Sequence, residues 1–276
     1  HDQLTQMFED KLLYELLPEL SETEGVEQPD FHHLDVFQHS LETVKQLENI
    51  FDSPERYFPS GIPFLEELIH DKTKRRRLKW AALFHDIGKP HTMVLGKTGG
   101  VKTTFHNHDR VGKELFSKIA ERLRWSGADT TKTAELILYH MHPFFLANLL
   151  RDNNLTERAI IRLVRRAGEQ LTDLFCLAMA DSLASQGHLK PEGMESELDH
   201  LFRISYDLYL HRVRPVFQRK RFLTGKDLVD TFGLKPGPVF KKILDEVEIL
   251  SIEGSINSEE EGKEWFQRNK QSFLSD

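Results

Sequence analysis

Hydrophobic positions recur along most of this chain at intervals of three and four residues, which is the spacing of one face of an α-helix. The first predicted helix is closed by Pro18 and a polar stretch through Pro29. The pattern therefore predicts an all-α fold, with helices over residues 4–20, 36–51, 63–70, 73–87, 108–124, 130–141, 144–151, 156–166, 171–186 and 194–212.

The helical spacing is interrupted between Pro90 and Asn107. Residues 92–95 and 101–105 are short, β-prone segments, and the glycine-rich run 96–100 separates them. We expect a small β-hairpin here. Asn107 is a candidate N-cap for the helix that follows it.

The chain is expected to contain more than one folding unit. Residues 187–193 begin and end with glycine and form a plausible boundary, and Pro236 to Pro238 indicate a turn and a helix start. We predict an N-terminal helical connector over residues 1–30, a helical-bundle domain over 31–190, and a smaller helical C-terminal module over 191–276.

Polar residues suited to metal binding occur on faces that are otherwise apolar. His85, His108, His140 and Asp181 each share a helical face with three hydrophobic or small residues. A lone histidine on such a face is more often a hydrogen-bonded core residue, and Asp181 alone fits a buried cap. A buried aspartate without a partner is costly, however, and coordination of a metal relieves that cost.

The adjacent pair His85 and Asp86, followed by Gly88 and Lys89, is the most informative motif. It offers a divalent cation one nitrogen and one oxygen ligand from a single helix end. We therefore predict a site for one or two divalent metals, with the ligand set His39, His85, Asp86, His108, His140 and Asp181. His106 and His142 are weaker candidates. Surface or packing roles are expected for His32, His33, His70, His91, His188, His200 and His211.

The order of these ligands resembles the HD superfamily of metal-dependent phosphohydrolases. The flanks narrow the resemblance to the HD and body region of bacterial CCA-adding enzymes and poly(A) polymerases. The segments that carry it are ELLPEL at 15–20, GVEQ at 25–28, HHLDVFQH at 32–39, AALFHDIGKP at 81–90, LTGKDL at 223–228, GLKPGP at 233–238 and INSEE at 256–260.

The resemblance implies that His39, His85, Asp86 and Asp181 hold one metal, and that His108 and His140 hold a second with Asp86 as the bridge. Mixed imidazole and carboxylate ligation suits Mn, Ni, Fe, Co or Zn better than Mg. Asp86 and Lys89 are the expected catalytic residues. Lys89 is placed to contact a phosphate, although a lysine favoured by the dipole of a helix C-terminus fits equally well.

Two functions follow from this resemblance. The first is a metal-dependent phosphohydrolase, acting on 2′,3′-cyclic phosphates, 2′-nucleotides or RNA ends. The second is the RNA-binding body module of a tRNA nucleotidyltransferase with a secondary metal site. Those polymerases carry a head with paired carboxylates that hold magnesium, and nothing here matches it. We expect either a stand-alone relative or a chain whose nucleotidyltransferase head is separate or missing, unable to add nucleotides by itself.

The net charge of −7 argues against indiscriminate binding to nucleic acid. Basic residues are nevertheless clustered, in groups at 72–79, 162–166 and 212–221. The third group is the best candidate for contacts with tRNA-like RNA, because aromatic residues interleave with it. Solvated helix surface is the simpler interpretation of each group. The predicted RNA-binding residues are Arg212, Arg214, Arg219, Lys220 and Arg221.

A single cysteine, Cys176, excludes an internal disulfide framework. The chain contains no apolar run of about 18 residues and no signal-peptide pattern. We therefore expect a protein without a membrane partner and a cytoplasmic location.

Overall fold

The computed structural model describes residues 2–28, 31–60, 65–95 and 103–274, and it confirms an all-α fold. Short 3₁₀ segments occur at Pro18–Thr23 and Gly168–Gln170, and a π-helical segment at Tyr209–Val213. The α-helices are α1 (Asp2–Glu9), α2 (Leu12–Leu16), α3 (Val36–Asp52), α4 (Pro54–Tyr57), α5 (Glu66–His70), α6 (Lys72–Phe84), α7 (Lys89–Thr92), α8 (His108–Arg122), α9 (Gly127–Tyr139), α10 (His142–Arg151), α11 (Glu157–Ala167), α12 (Leu171–Ala184), α13 (Met194–Leu208), α14 (Arg214–Gln218), α15 (Gly225–Asp230), α16 (Pro238–Glu253) and α17 (Glu259–Leu274).

The single helix predicted over residues 4–20 is wrong. Lys11 takes a left-handed conformation with φ of 60°, which ends α1 before α2 begins. Pro18 then opens a 3₁₀ segment. Proline has no N–H to donate, so the α-helical hydrogen bonds do not continue through it.

The predicted hairpin region contains one antiparallel bridge, in which Val94 and Thr104 exchange two backbone hydrogen bonds of 2.9 and 3.1 Å. The turn predicted at 96–100 lies outside the described residues. Asn107 does precede α8 directly, but its side chain makes no capping hydrogen bond, and its backbone is left-handed with φ of 65°. The start of α8 was therefore predicted correctly, but the predicted capping hydrogen bond from the Asn107 side chain is not formed.

The chain forms two compact units. The first comprises residues 1–154 and 169–203, and the second comprises 155–168 and 204–276. The domain limits predicted above, 1–30, 31–190 and 191–276, follow a different division of the chain and stay a prediction.

In the first unit, α12 is buried along almost its whole length and packs against α3, α6, α9 and α10. A helix that is apolar on all sides belongs in the centre of a core. Two helices that pack near α12 start from aspartate caps: Asp35 accepts from the backbone N–H of Gln38, and Asp71 from those of Thr73 and Lys74. Within the described ranges, no helix is long and apolar enough to cross a membrane.

In the second unit, α11 packs on α16 through paired charges. Arg158 donates to Glu253 at 2.9 Å, and Arg165 donates to Glu248 at 2.7 Å. A capping box between Thr224 and Asp227 starts α15. The apolar core of this unit consists of Leu223, Leu228, Ile243, Val247, Ile256 and Phe266.

Candidate metal centre

The six predicted ligands meet in the first unit as two adjoining clusters of three. In each cluster, one donor atom from each residue lies within 4.8 Å of the others. Cluster 1 is defined as His39, His85 and Asp181, and cluster 2 as Asp86, His108 and His140.

Cluster 1 is assembled at the centre of the bundle. His39 lies in the first turn of α3, Asp181 in the last turn of α12, and His85 directly follows α6. These three helices pack against one another through the apolar faces predicted from the sequence. The Nε2 atom of His39 is 3.0 Å from Oδ1 of Asp181, and Nε2 of His85 is 3.9 Å from the same oxygen.

Cluster 2 is assembled from helix ends. His108 is the first residue of α8, and His140 directly follows α9. Their Nε2 atoms are 3.2 Å apart, and Oδ1 of Asp86 lies 3.3 Å from His108 and 3.7 Å from His140. The side chain of His108 is 12% exposed, whereas that of His140 is fully buried, so His108 is the more accessible of the two rings.

Asp86 joins the two clusters. Its Oδ2 atom lies 3.2 Å from Nε2 of His85 and 3.9 Å from Nε2 of His39, while its Oδ1 atom faces cluster 2. One carboxylate oxygen thus faces each cluster. This is the arrangement of a carboxylate that bridges two cations, and it agrees with the bridging role that the resemblance implied for Asp86.

Three of the four histidines are oriented by backbone carbonyls. The Nδ1 atoms of His85, His108 and His140 contact the carbonyl oxygens of residues 82, 105 and 137 at 2.8, 2.8 and 2.7 Å. Because a carbonyl only accepts, each Nδ1 carries the hydrogen, and each Nε2 of a neutral ring presents a lone pair to the centre. This is the usual outer hydrogen bond of a metal-binding histidine.

The donor set fits divalent cations. Asp86 Oδ1 and His85 Nε2 are both buried, yet neither has a hydrogen-bond partner among the described residues, despite their close neighbours. Buried polar atoms without partners are rare, because each costs free energy of desolvation. Cations placed in the two clusters satisfy these atoms and separate the facing lone pairs of His108 and His140.

In the metal-free centre, the pKa values of several ligands are shifted by burial and by the charges of neighbouring groups. Burial alone would raise the pKa of Asp86, but the charges of His85 and Lys89 hold it well below its usual value. Burial would lower the pKa of His85, but Asp86 and Asp181 raise it. Burial, together with the neighbouring His108 and His85, lowers the pKa of His140 to about 3. The centre therefore holds two ionised carboxylates that attract positive charge.

Comparison with known families agrees with this geometry. The family model of the HD domain matches residues 36–185, which is more than half of the chain and includes all six ligands. The chain belongs to the HD domain family.

Two relatives that align with most of the chain are named as tRNA nucleotidyltransferases. The chain is 33% identical over 257 residues to the A-adding tRNA nucleotidyltransferase of Deinococcus radiodurans, and 27% identical over 253 residues to the CC-adding tRNA nucleotidyltransferase of Thermus thermophilus. Each alignment covers 91% of this chain and 50% or 49% of the relative. The chain therefore spans about half the length of these curated relatives.

A third relative matches a shorter part of the chain. The bifunctional uridylyltransferase/uridylyl-removing enzyme of Gluconobacter oxydans is 31% identical over 131 residues, which are 47% of this chain and 12% of that protein.

Lys89 contacts the HD centre, which comprises clusters 1 and 2 together, through Asp86. Its Nζ atom is 2.6 Å from Oδ2 of Asp86, donates to the amide oxygen of the buried Gln28, and lies 5.6 Å from the ring centroid of Phe105. The ammonium group thus lies between a buried carboxylate, with which it forms an ion pair, and a buried amide oxygen, to which it donates. Lys89 is the first residue of the four-residue helix α7 and therefore also lies in its last turn, so a favourable helix dipole stays an alternative to phosphate contact.

Gly88 determines how closely the backbone turn after His85 and Asp86 approaches α8. A Cβ atom at Gly88 would lie 2.1 Å from the carbonyl oxygen of His108 and 2.7 Å from the backbone nitrogen of Gly112. Only glycine fits at this separation. The two clusters adjoin because the backbone after Asp86 packs directly on the first turns of α8.

Sequence reasoning missed His32, which it assigned to an ordinary surface or packing role. The His32 ring lies against the His39 ring, with a centroid distance of 4.5 Å, and its Nδ1 is 3.0 Å from Oγ of Ser185. Burial and the nearby charges of Lys89 and His39 lower the pKa of His32 to about 2. His32 precedes α3 in a loop, where no helical spacing connects it with the ligands, so hydrophobic periodicity gave no signal for this position, although the segment 32–39 carries the family resemblance.

The predicted RNA-binding residues belong to the second unit, whereas the six ligands belong to the first, and carboxylates partly neutralise these basic residues. Arg212 pairs with Glu157, Lys220 contacts Glu259 at 2.7 Å, and Arg221 lies 3.9 Å from Glu248. Arg219 stacks 3.9 Å from the centroid of Phe222. Arg214 is exposed.

Proposed function

We propose that this chain is a metal-dependent phosphohydrolase that acts on phosphodiester or phosphomonoester bonds of nucleotides or RNA ends. The observation that carries the proposal is the pair of clusters joined by Asp86, with one carboxylate oxygen directed to each. A purely structural domain has no need of six converging ligands at its centre, since buried polar residues of this kind destabilise a core when they lack partners.

The proposed chemistry needs one or two divalent ions, which His39, His85, Asp86, Asp181, His108 and His140 would hold. When bound, such ions polarise a phosphoryl oxygen and lower the pKa of a coordinated water from near 16 toward about 7. The nitrogen-rich donor set favours Mn, Fe, Co, Ni or Zn over Mg.

The protein's own groups supply charge and orientation. Lys89 places its positive charge beside Asp86, where its ammonium group would attract an incoming phosphate as a point charge. Gln28 holds Lys89 in place. The carbonyls of residues 82, 105 and 137 fix the rings of His85, His108 and His140, so the geometry is set before the substrate arrives.

Small nucleotides with terminal or cyclic phosphates are the proposed substrate class, including 2′,3′-cyclic phosphates and 2′-nucleotides. Two relatives that align with 91% of the chain are named as tRNA nucleotidyltransferases, which supports an RNA-derived substrate. A tRNA end is the proposed macromolecular substrate.

A second candidate is an RNA-binding body module of a tRNA nucleotidyltransferase, in which the HD centre is secondary. The extent of the similarity favours it, because that similarity continues past the HD region into the second unit. Arg214, Arg219 and the exposed ring of Phe217 are the proposed contacts, since these cations have no carboxylate partner among the described residues.

A metal-dependent hydrolysis screen separates the two candidates. Purified protein would be stripped of metal, reloaded with Mn, Ni or Mg, and assayed with nucleoside 2′,3′-cyclic phosphates and 2′-nucleotides. We expect turnover that depends on metal and is lost in Asp86→Asn. Asp109→Asn is the matched control, because Asp109 directly follows His108 and belongs to neither cluster. Tight tRNA binding without turnover of any substrate would favour the second candidate.

A further inference from the structure

His32 packs against the metal centre without being one of its ligands. It belongs to neither cluster, although its ring touches that of His39 edge to face. Because His39 belongs to cluster 1, this contact places the His32 ring directly beside that cluster. The ring is therefore close to the ligands without being one of them.

The hydrogen bonding of His32 differs from that of three ligand histidines. Their Nδ1 atoms donate to carbonyls, whereas Nδ1 of His32 meets the hydroxyl of Ser185, a group that can donate. When Ser185 donates to Nδ1, the neutral ring carries its hydrogen on Nε2. That Nε2–H has no hydrogen-bond partner within the described parts of the chain.

We propose that His32 is a phosphate-binding residue, whose Nε2–H donates to a non-bridging oxygen of the substrate phosphate while Ser185 fixes the ring. This inference rests on the proposed function only in taking a phosphate group as the ligand. A phosphate held at the two clusters would present further oxygens, and Lys89, beside Asp86, and His32, beside His39, are the proposed donors to them. A hydrogen bond to a charged group is stronger than one between neutral groups.

Two substitutions test the roles of the two ring nitrogens of His32 separately. In His32→Gln, the side-chain amide can reach the position of Nε2 and keeps a donor there. In His32→Asn, the shorter amide can meet Ser185 but cannot replace Nε2. His33→Asn is the matched control, because His33 is the exposed neighbour in the same loop.

Inorganic phosphate is the probe, and its affinity for the metal-loaded protein would be measured by isothermal titration calorimetry. We expect His32→Asn to weaken phosphate binding by about tenfold, in line with the loss of a charged hydrogen bond. His32→Gln is expected to stay within about threefold of the wild type, and His33→Asn to be unchanged. Ser185→Ala should show part of the loss, because the ring is no longer held in one tautomer.

A turnover measurement adds an independent readout. His32→Asn should raise KM for a nucleoside 2′,3′-cyclic phosphate and leave kcat largely unchanged, as expected for lost uniform binding. Metal content would be measured in every variant. Loss of metal from His32→Asn would assign the residue to the metal centre and overturn the proposal.

The remaining outcomes are equally decisive. The role of Nε2 would be overturned if metal-loaded His32→Asn bound phosphate as tightly as the wild type. It would also be overturned if His32→Gln lost as much phosphate affinity as His32→Asn. A wild type that binds no phosphate would overturn it as well. A wild type that binds phosphate but hydrolyses nothing would refute the proposed hydrolase, while the variants would still decide the role of His32.

Discussion

The Nε2 atoms of His108 and His140 lie 3.2 Å apart, and each ring donates its Nδ1–H to the backbone carbonyl three residues earlier. Two neutral imidazoles in this arrangement point lone pairs at each other. Burial and the charge of Lys89 disfavour a proton on His108, and burial and neighbouring histidines disfavour one on His140, so the pKa of each is lowered. A divalent cation between them resolves the repulsion.

The first prediction concerns this pair. Replacing both His108 and His140 by Gln should remove one metal equivalent and leave the equivalent held by His39, His85 and Asp181. Metal content after equilibration with excess Mn would be measured by mass spectrometry of the metal. A wild type that never holds more than one ion at saturation would refute the two-metal arrangement.

The second prediction concerns the backbone contact at Gly88. Gly88→Ala should destabilise the first unit by about 1–3 kcal/mol or more, because its Cβ would overlap the carbonyl oxygen of His108. The displaced start of α8 should weaken the cluster 2 metal more than the cluster 1 metal. The free energy of unfolding and the metal content would be measured together.

Gly127→Ala is the matched control for Gly88→Ala. Nothing lies within 4 Å of a Cβ atom at Gly127, which is the first residue of α9. Alanine in a helix is favoured over glycine by up to about 1 kcal/mol, so this variant should be neutral or stabilised. Equal behaviour of the two variants would contradict the close-packing argument.

The helices and their apolar faces could be predicted from the sequence because both depend on local spacing. The ligands His85, His140 and Asp181 were found in this way. Ala81, Ile137 and their neighbours are buried, as the predicted apolar faces require. The arrangement of the two clusters was available only through family resemblance, since it depends on contacts between helices distant in the chain.

Two features could not be predicted for physical reasons. His32 reaches the centre from an irregular loop, where side-chain direction has no fixed period. The break of the first helix at Lys11 depends on a left-handed backbone conformation that lysine rarely adopts, so its residue type gives no warning.

The third prediction concerns pH and the metal-free protein. The pKa of His140 falls from 6.5 to about 3 on folding, so the unfolded chain binds more protons than the folded chain between these values. The stability that His140 contributes is therefore present above pH 6.5 and is lost as the pH falls toward 3.

Chemical unfolding in the presence of a chelator, at pH 7, 6 and 5, measures the slope of the free energy of unfolding against pH. Replacing His140 by Gln should reduce it by up to about 1.4 kcal/mol per pH unit, which is the contribution of one proton. An unchanged slope in His140→Gln would contradict the assignment of a buried neutral ring.

The fourth prediction concerns RNA. Reversing the charges of Arg214 and Arg219 should weaken binding of tRNA-like RNA and reduce the slope of log affinity against log salt by about 0.7–0.9 for each lost phosphate contact. Lys226→Glu, an exposed charge reversal on α15, is the matched control. Hydrolysis of a small cyclic phosphate should not change, because no residue of either cluster is altered. Binding that survives the double reversal would mean that the group is solvated surface.

The central claim is that Asp86 joins two metal sites through its two carboxylate oxygens. Substituting Asn keeps the shape of the side chain but replaces one charged oxygen with an NH₂ group that cannot coordinate a cation. The most direct test is the metal content of Asp86→Asn at saturating Mn, beside wild type and Asp109→Asn.

We expect about two ions in the wild type and in Asp109→Asn, and at most one weakly held ion in Asp86→Asn, with its folded structure retained by circular dichroism. Full occupancy of two sites in folded Asp86→Asn would contradict the bridging role and the account of the centre built on it.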